Sequence, residues 1–160
     1  MRTCIPIGCF VAMVAALIAD VSVATGATML NVSATVLSKS VCRFNSATAS
    51  LPFGTVDPST SSDVTATTTV TFRCMGSAPI ATFFIADDGG LYAAAPGQHR
   101  MKHSVLPQYL PYDLTLTPAS ASVPKNVIQT LTITGTLRAT DYRDAFAGAY
   151  TDTVTLSITP

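Results

Sequence analysis

Four cysteines, two histidines and nine carboxylates, all of them Asp, are the residues of this 160-residue chain that could carry chemistry. Cys4 and Cys9 fall in the first stretch of the chain, leaving Cys42 and Cys74 as an isolated pair. Two cysteines without neighbouring histidines make a poor zinc site, which usually takes four nitrogen or sulfur ligands. His99 and His103 are four apart, a spacing that on a helix would put both rings on one face to hold a metal. Here they stand beside Arg100 and Lys102 in a stretch that reads as loop, and no Glu exists to complete a zinc-protease motif. They read as solvated loop histidines. Asp87-Asp88-Gly89-Gly90 lacks the alternating oxygen ligands and closing Glu of a calcium loop and reads as a hairpin turn. Asp141, Asp144 and Asp152 are spread over a loop and a strand, and nothing in the pattern pairs two of them at the separation glycoside hydrolysis needs. Neither a Gly-x-Ser-x-Gly elbow nor a phosphate loop occurs. Asn31-Val32-Ser33 matches a glycosylation pattern, but inside a strand-like run. The expectation is no enzyme, no cofactor and no metal.

The start of the chain reads as a targeting segment. Arg2 supplies the positive end and Phe10–Ile18 an apolar run of signal-peptide length, too short for the roughly 20 residues of a membrane span. Cleavage is expected after Ala24, or alternatively after Ala27. Cys9 precedes the apolar run, which argues against a lipoprotein site. Residues 25–160, about 135 in number, suffice for one domain with one core. An exported chain with one remaining cysteine pair most simply joins Cys42 to Cys74. Closing a loop of this size would stabilise by roughly 3–4 kcal/mol on chain-entropy grounds. The formal charge is zero and Lys and Arg are scattered singly, which excludes a nucleic-acid footprint. The mean hydropathy of +0.42 is inflated by the leader.

The elements that must position these residues are strands. Asp without Glu, together with abundant Thr, Val and Ser, disfavours helices and suits sheets. Apolar residues alternate at Leu30, Val32, Ala34 and Val36; at Val64–Cys74; at Val127–Leu137; and at Tyr150, Val154, Leu156 and Ile158. Ile80–Ala86 and Tyr112–Thr117 read as further strands, and Leu51–Pro58 as a short edge strand ending in a turn. Leu91–Pro111 reads as irregular, Pro118–Lys125 as a loop and Ala139–Gly148 as a polar connection. About seven short strands with regular turns describe a β-sandwich or barrel. The last strand runs to Pro160 while an apolar strand is to spare near the start. One end is therefore expected to lack a strand that the other can supply.

Five features in order give the chain a resemblance over nearly all of residues 25–160. They are NVSATVLSKSVC, the Leu-x-Phe-Gly-x-x-Asp-Pro element of Leu51–Pro58, VTFRC, RMKHSVLPQYLPYDLTL and the closing GAYTDTVTLSI. The chain resembles the spore coat protein U domain family, which includes subunits of archaic, Csu-type chaperone–usher pili. That resemblance implies an incomplete immunoglobulin-like β-sandwich lacking its last strand. A periplasmic chaperone would fill the gap during export through an outer-membrane usher, and the N-terminal segment of the next subunit would replace it in the fibre. Met29, Leu30, Val32 and Ala34 would be the donor residues, in a segment of residues 25–36 that runs into the first strand. Val154, Leu156 and Ile158 would line part of the acceptor groove. Function is thus expected as a structural subunit of a secreted surface pilus serving adhesion and biofilm formation. The alternative is a self-standing secreted spore or cell-surface coat protein. A secreted enzyme or sugar-binding domain is disfavoured by the absence of Trp, on which sugars often stack.

Overall fold

The computed structural model describes residues 29–160, so the leader, its cleavage points, Cys4 and Cys9 lie outside the described residues. Residues 29–34, described by themselves, belong to no helix or strand, and Met29, Leu30 and Val32 are almost fully exposed. The alternation read from Leu30 to Val36 therefore forms no strand; alternation fixes side-chain faces, but a strand also needs a backbone partner.

Thr35–Pro160 forms one compact unit. Its first sheet holds β1 (Ser40–Phe44), β2 (Val64–Gly76), β7 (Ile128–Leu137), β5 (Tyr109–Thr117), β4 (His99–His103) and β8 (Tyr150–Thr151), side by side in that order. A second sheet sets β3 (Ile80–Asp87) between β6 (Ser120–Pro124) and β9 (Leu156–Thr159). All pairings are antiparallel.

The inward alternation of β2 and β7 explains why the sheets stack. Val70, Phe72 and Cys74 with Leu131 and Ile133 form one layer, and Ala81, Phe83 and Ile85 of β3 with Val123 of β6 the other. The Phe72 and Phe83 rings meet edge to face at 4.7 Å across the interface, a preferred aromatic geometry. Burying such a side chain contributes roughly 1.5–3 kcal/mol. The fold is the expected all-β sandwich, two antiparallel sheets stacked face to face. Cys42 and Cys74 stand opposite each other in the β1–β2 register and are joined as a disulfide.

Several local readings change. The segment expected to be irregular contains β4 and the start of β5, and the expected Pro118–Lys125 loop contains β6. As an edge strand, β6 needs hydrogen bonds on one side only, so Pro124 is tolerated there. Leu51–Pro58 is not a strand, and the connection after β7 opens with a single-turn helix, α1 (Ala139–Tyr142). The run from Tyr150 to Ile158 is two strands in different sheets, interrupted at residues 152–155. Asp87–Gly90 is not a hairpin turn either, because β3 and β4, which flank it, also lie in different sheets.

Candidate functional site: an apolar groove between the sheets

A groove of about 1190 Å³ opens along one side of the sandwich. Its floor is the inner face of the first sheet, including Thr68, Val70, Leu114 and Ile133. The chain following β1, from Phe44 to Pro58, forms one wall, and the chain from Ala145 to Leu156 forms the other. Among the described residues β9 hydrogen-bonds with β3 alone, which leaves its other edge without a hydrogen-bonded strand, and Leu156 at its start reaches this opening.

The first wall is seated by a glycine. Leu51 and Phe53 sit directly over Gly135 of β7, where an added Cβ would come within 2.7 Å of the Phe53 ring and 2.8 Å of Leu51. Phe53 also meets Tyr112 edge to face at 6.0 Å. The Leu-x-Phe-Gly element is thus a packed wall of the groove.

The second wall is held by a corner. The chain passes from β3 to β4 and from β8 to β9 at the same place, so two crossovers run side by side between the sheets. The Asp88 amide donates to the Thr155 carbonyl at 3.1 Å, and the Leu91 amide to the Thr153 carbonyl at 3.1 Å. Asp88 Oδ1 accepts from the amides of Thr155 and Gly90, both at 2.9 Å. Asp152 Oδ1 accepts from the Leu91 amide at 3.0 Å, and its Oδ2 from the Tyr112 hydroxyl at 2.8 Å. Burial, reinforced by the bond to Asp152, pushes the Tyr112 phenol well above its ordinary range, so it remains a donor. The hydrogen bonds from Thr155 and Gly90 hold the Asp88 carboxyl below the usual carboxylate value.

The histidines prove to be interior. His99 and His103 are both over nine-tenths buried, at the two ends of β4. His99 Nε2 pairs with Asp87 Oδ1 at 2.8 Å. His103 Nδ1 accepts the amides of Val105 and Leu106 at 3.0 Å each, so its Nε2 proton faces the Ala147 carbonyl at 3.2 Å. These hydrogen bonds are what let the rings be buried. Among the described residues no cluster of three or more His, Cys, Asp or Glu could hold a metal.

Of the residues expected in the groove, Val154 and Leu156 line it, whereas Ile158 packs against the main core cluster and is not part of the lining. Met29, Leu30, Val32 and Ala34 lie exposed in the N-terminal stretch. Sequence reasoning missed Asp88, Asp152, Tyr112 and Gly135 as shaping residues. The one signal for them was Asp152, which sits within the closing signature run.

Among the described residues no helix is long and apolar enough to cross a membrane. Among solved structures, the chain is similar to one from the CsuC–CsuE chaperone–tip adhesion subunit pre-assembly complex of the archaic chaperone–usher Csu pili of Acinetobacter baumannii. That likeness has 19% identity and a TM-score of 0.47, covering 75% of this chain and 39% of that one. A second similarity is to a chaperone–tip adhesin complex of CFA/I fimbriae biogenesis, at 12% identity and a TM-score of 0.44, covering 76% and 41%. This chain thus spans about two-fifths of the length of either structure it matches. No curated protein matches. The five motifs from NVSATVLSKSVC to the closing GAYTDTVTLSI now have places, as β1 with its lead-in, the first wall, β2, β4 with β5, and the second wall. The Spore Coat Protein U domain family matches residues 27–157, spanning the first four and all but the last residue of the fifth, and the chain belongs to that family.

Proposed function

We propose that this protein is a structural subunit of a secreted surface pilus, polymerised by donor-strand complementation. The observation that carries this reading is the open apolar groove beside the free edge of β9. An exposed sheet edge over an open core is an aggregation hazard, and it is a template for one more strand. The occupant is the N-terminal segment of a second copy or a related subunit. Leu30, Val32 and Ala34 alternate with Asn31 and Ser33 and, with Met29, lie exposed, so an added strand would bury the Leu30, Val32 and Ala34 face and hydrogen-bond along β9. Val154 and Leu156 would meet the donor's apolar side chains. A periplasmic chaperone would occupy the groove until an outer-membrane usher passes the subunit to the cell surface, where the fibre would serve adhesion and biofilm formation.

Deleting Thr25–Val32 tests this directly. The truncated chain is expected to accumulate as a chaperone-bound monomer that forms no polymer. Polymers of normal length from the deletion would sink the proposal. A chain expressed alone in the periplasm that persists as a stable monomer and binds no donor peptide would favour a self-standing coat protein instead.

A further inference from the structure

The two crossovers between the sheets form a corner, and the geometry points to Asp152 and Asp88 as the residues that position the second groove wall for its donor strand. The inference rests on the donor-strand reading and adds a determinant that neither alternation nor the groove itself discloses.

Residues 152–155 have no strand partner, yet they carry the wall from the first sheet to the second. Left to themselves, four unpaired residues at a free edge would fray, since such segments sit at the low end of local stability. Here four bonds reach across from residues 88–91, two to main-chain oxygens and two between carboxylates and main-chain amides. Both carboxylates therefore act on the backbone and not on one another. Gly89 and Gly90 have φ of +80° and +85°, which lets the Asp87–Gly90 turn double back against the wall. The space against Gly90 is filled by the Asp152 carboxylate, so even a methyl group there would displace it. Tyr112 closes the arrangement from the groove floor by donating to the same carboxylate.

The consequence is directional. Asp152 precedes Val154 by two residues, and Asp88 grips Thr155 on that residue's other side. Val154 and Leu156 are the apolar groups that this stretch of the wall offers the groove. Fixing the backbone on both sides of Val154 presets the spacing between wall and floor before a donor arrives, and preorganisation of this kind acts mainly on the lifetime of a complex.

The test uses the full chain, kept dilute enough to stay monomeric, and a fluorescent synthetic peptide of residues 28–36 as donor. Asp152→Ala and Asp88→Ala are each expected to release the peptide about tenfold faster than the unaltered chain. Asp88→Asn, whose amide oxygen can accept the same two amides, is expected to stay within about twofold; a role through bulk charge would not give this rescue. Tyr112→Phe, which removes one hydroxyl, is expected to release about threefold faster. If the unaltered chain binds no peptide, the donor-strand reading itself fails. If it binds, and Asp152→Ala, Asp88→Ala and Tyr112→Phe all release at its rate, the corner inference alone is overturned. Should the alanine variants not fold, the Tyr112→Phe rate decides.

Discussion

Strand β7 and the run from Tyr150 to Ile158 carry the same alternating pattern and meet opposite fates. In β7, Leu131, Ile133 and Leu137 are at most 6% exposed, because β2 and β5 flank the strand, β3 and β6 of the second sheet pack against Leu131 and Ile133, and Tyr142 of α1 with Phe53 and Val56 packs against Leu137. Along the later run every second residue is shielded, but none is fully buried. It borders one neighbour in each sheet, β4 and then β3, and on its other side lies the groove. The contrast teaches that alternation decides which face a side chain takes, whereas burial depends on how many neighbours the topology supplies. At the β7 end the sandwich is finished; at the groove it is half built.

Substitutions can break that contrast. Phe72→Ala should have the largest effect, about 3–5 kcal/mol of stability in denaturant unfolding, as expected for a buried ring. Leu156→Ala should cost less, about 1–2 kcal/mol in the isolated chain, since a partly buried Leu gives up less transfer free energy than a fully buried ring. It should cost more once a donor peptide is bound. Equal losses at the two positions in the isolated chain would erase the distinction between a finished end and an open one. Next in size is Gly135→Val, whose side chain would intrude on Leu51 and Phe53. Overpacking of this kind costs about 1–3 kcal/mol. Here it should also weaken peptide capture, measured by fluorescence anisotropy; capture at full strength would show that the first wall does not shape the groove.

The smallest expected effect is a pH dependence at the corner. The amides of Thr155 and Gly90 depress the Asp88 pKa below its ordinary 3.8. A folded-state pKa below the unfolded one adds stability that is fully present above the unfolded value and is lost as pH falls through the folded value. The thermal midpoint of the unaltered chain should therefore drop more steeply below pH 4 than that of Asp88→Asn. Parallel curves would remove Asp88 from the wall.

Much of this was legible beforehand, for reasons that name particular residues. The long alternations of β2 and β7 and the aromatic, β-branched run of β3 announce strands because each of them faces one core. The pairing of Cys42 with Cys74 followed from their isolation in a chain whose start reads as a leader. The corner was not legible, because Asp-Asp-Gly-Gly supplies the same local turn chemistry whether it closes a hairpin or redirects a chain between sheets. Burial of the histidines was hidden for a related reason: their partners, Asp87 and Ala147, are 12 and 44 residues away. Strand β6 was hidden by its Ser and Pro content, which an edge position tolerates. The groove appears in no single segment, since its two walls are joined only by the fold.

The disulfide has a mechanical meaning that its place in the sheet makes plain. β1 is an edge strand held to β2 over five register pairs, and the N-terminal segment leads straight into it. A pull along that segment reaches β1 first and would unzip its hydrogen bonds one pair at a time. Cys42, the third residue of the strand, transfers the tension through a covalent bond to Cys74 of β2. From there it spreads into the ten-pair ladder between β2 and β7. An edge strand of the first sheet is thus a tether whose load the sheet's longest ladder carries.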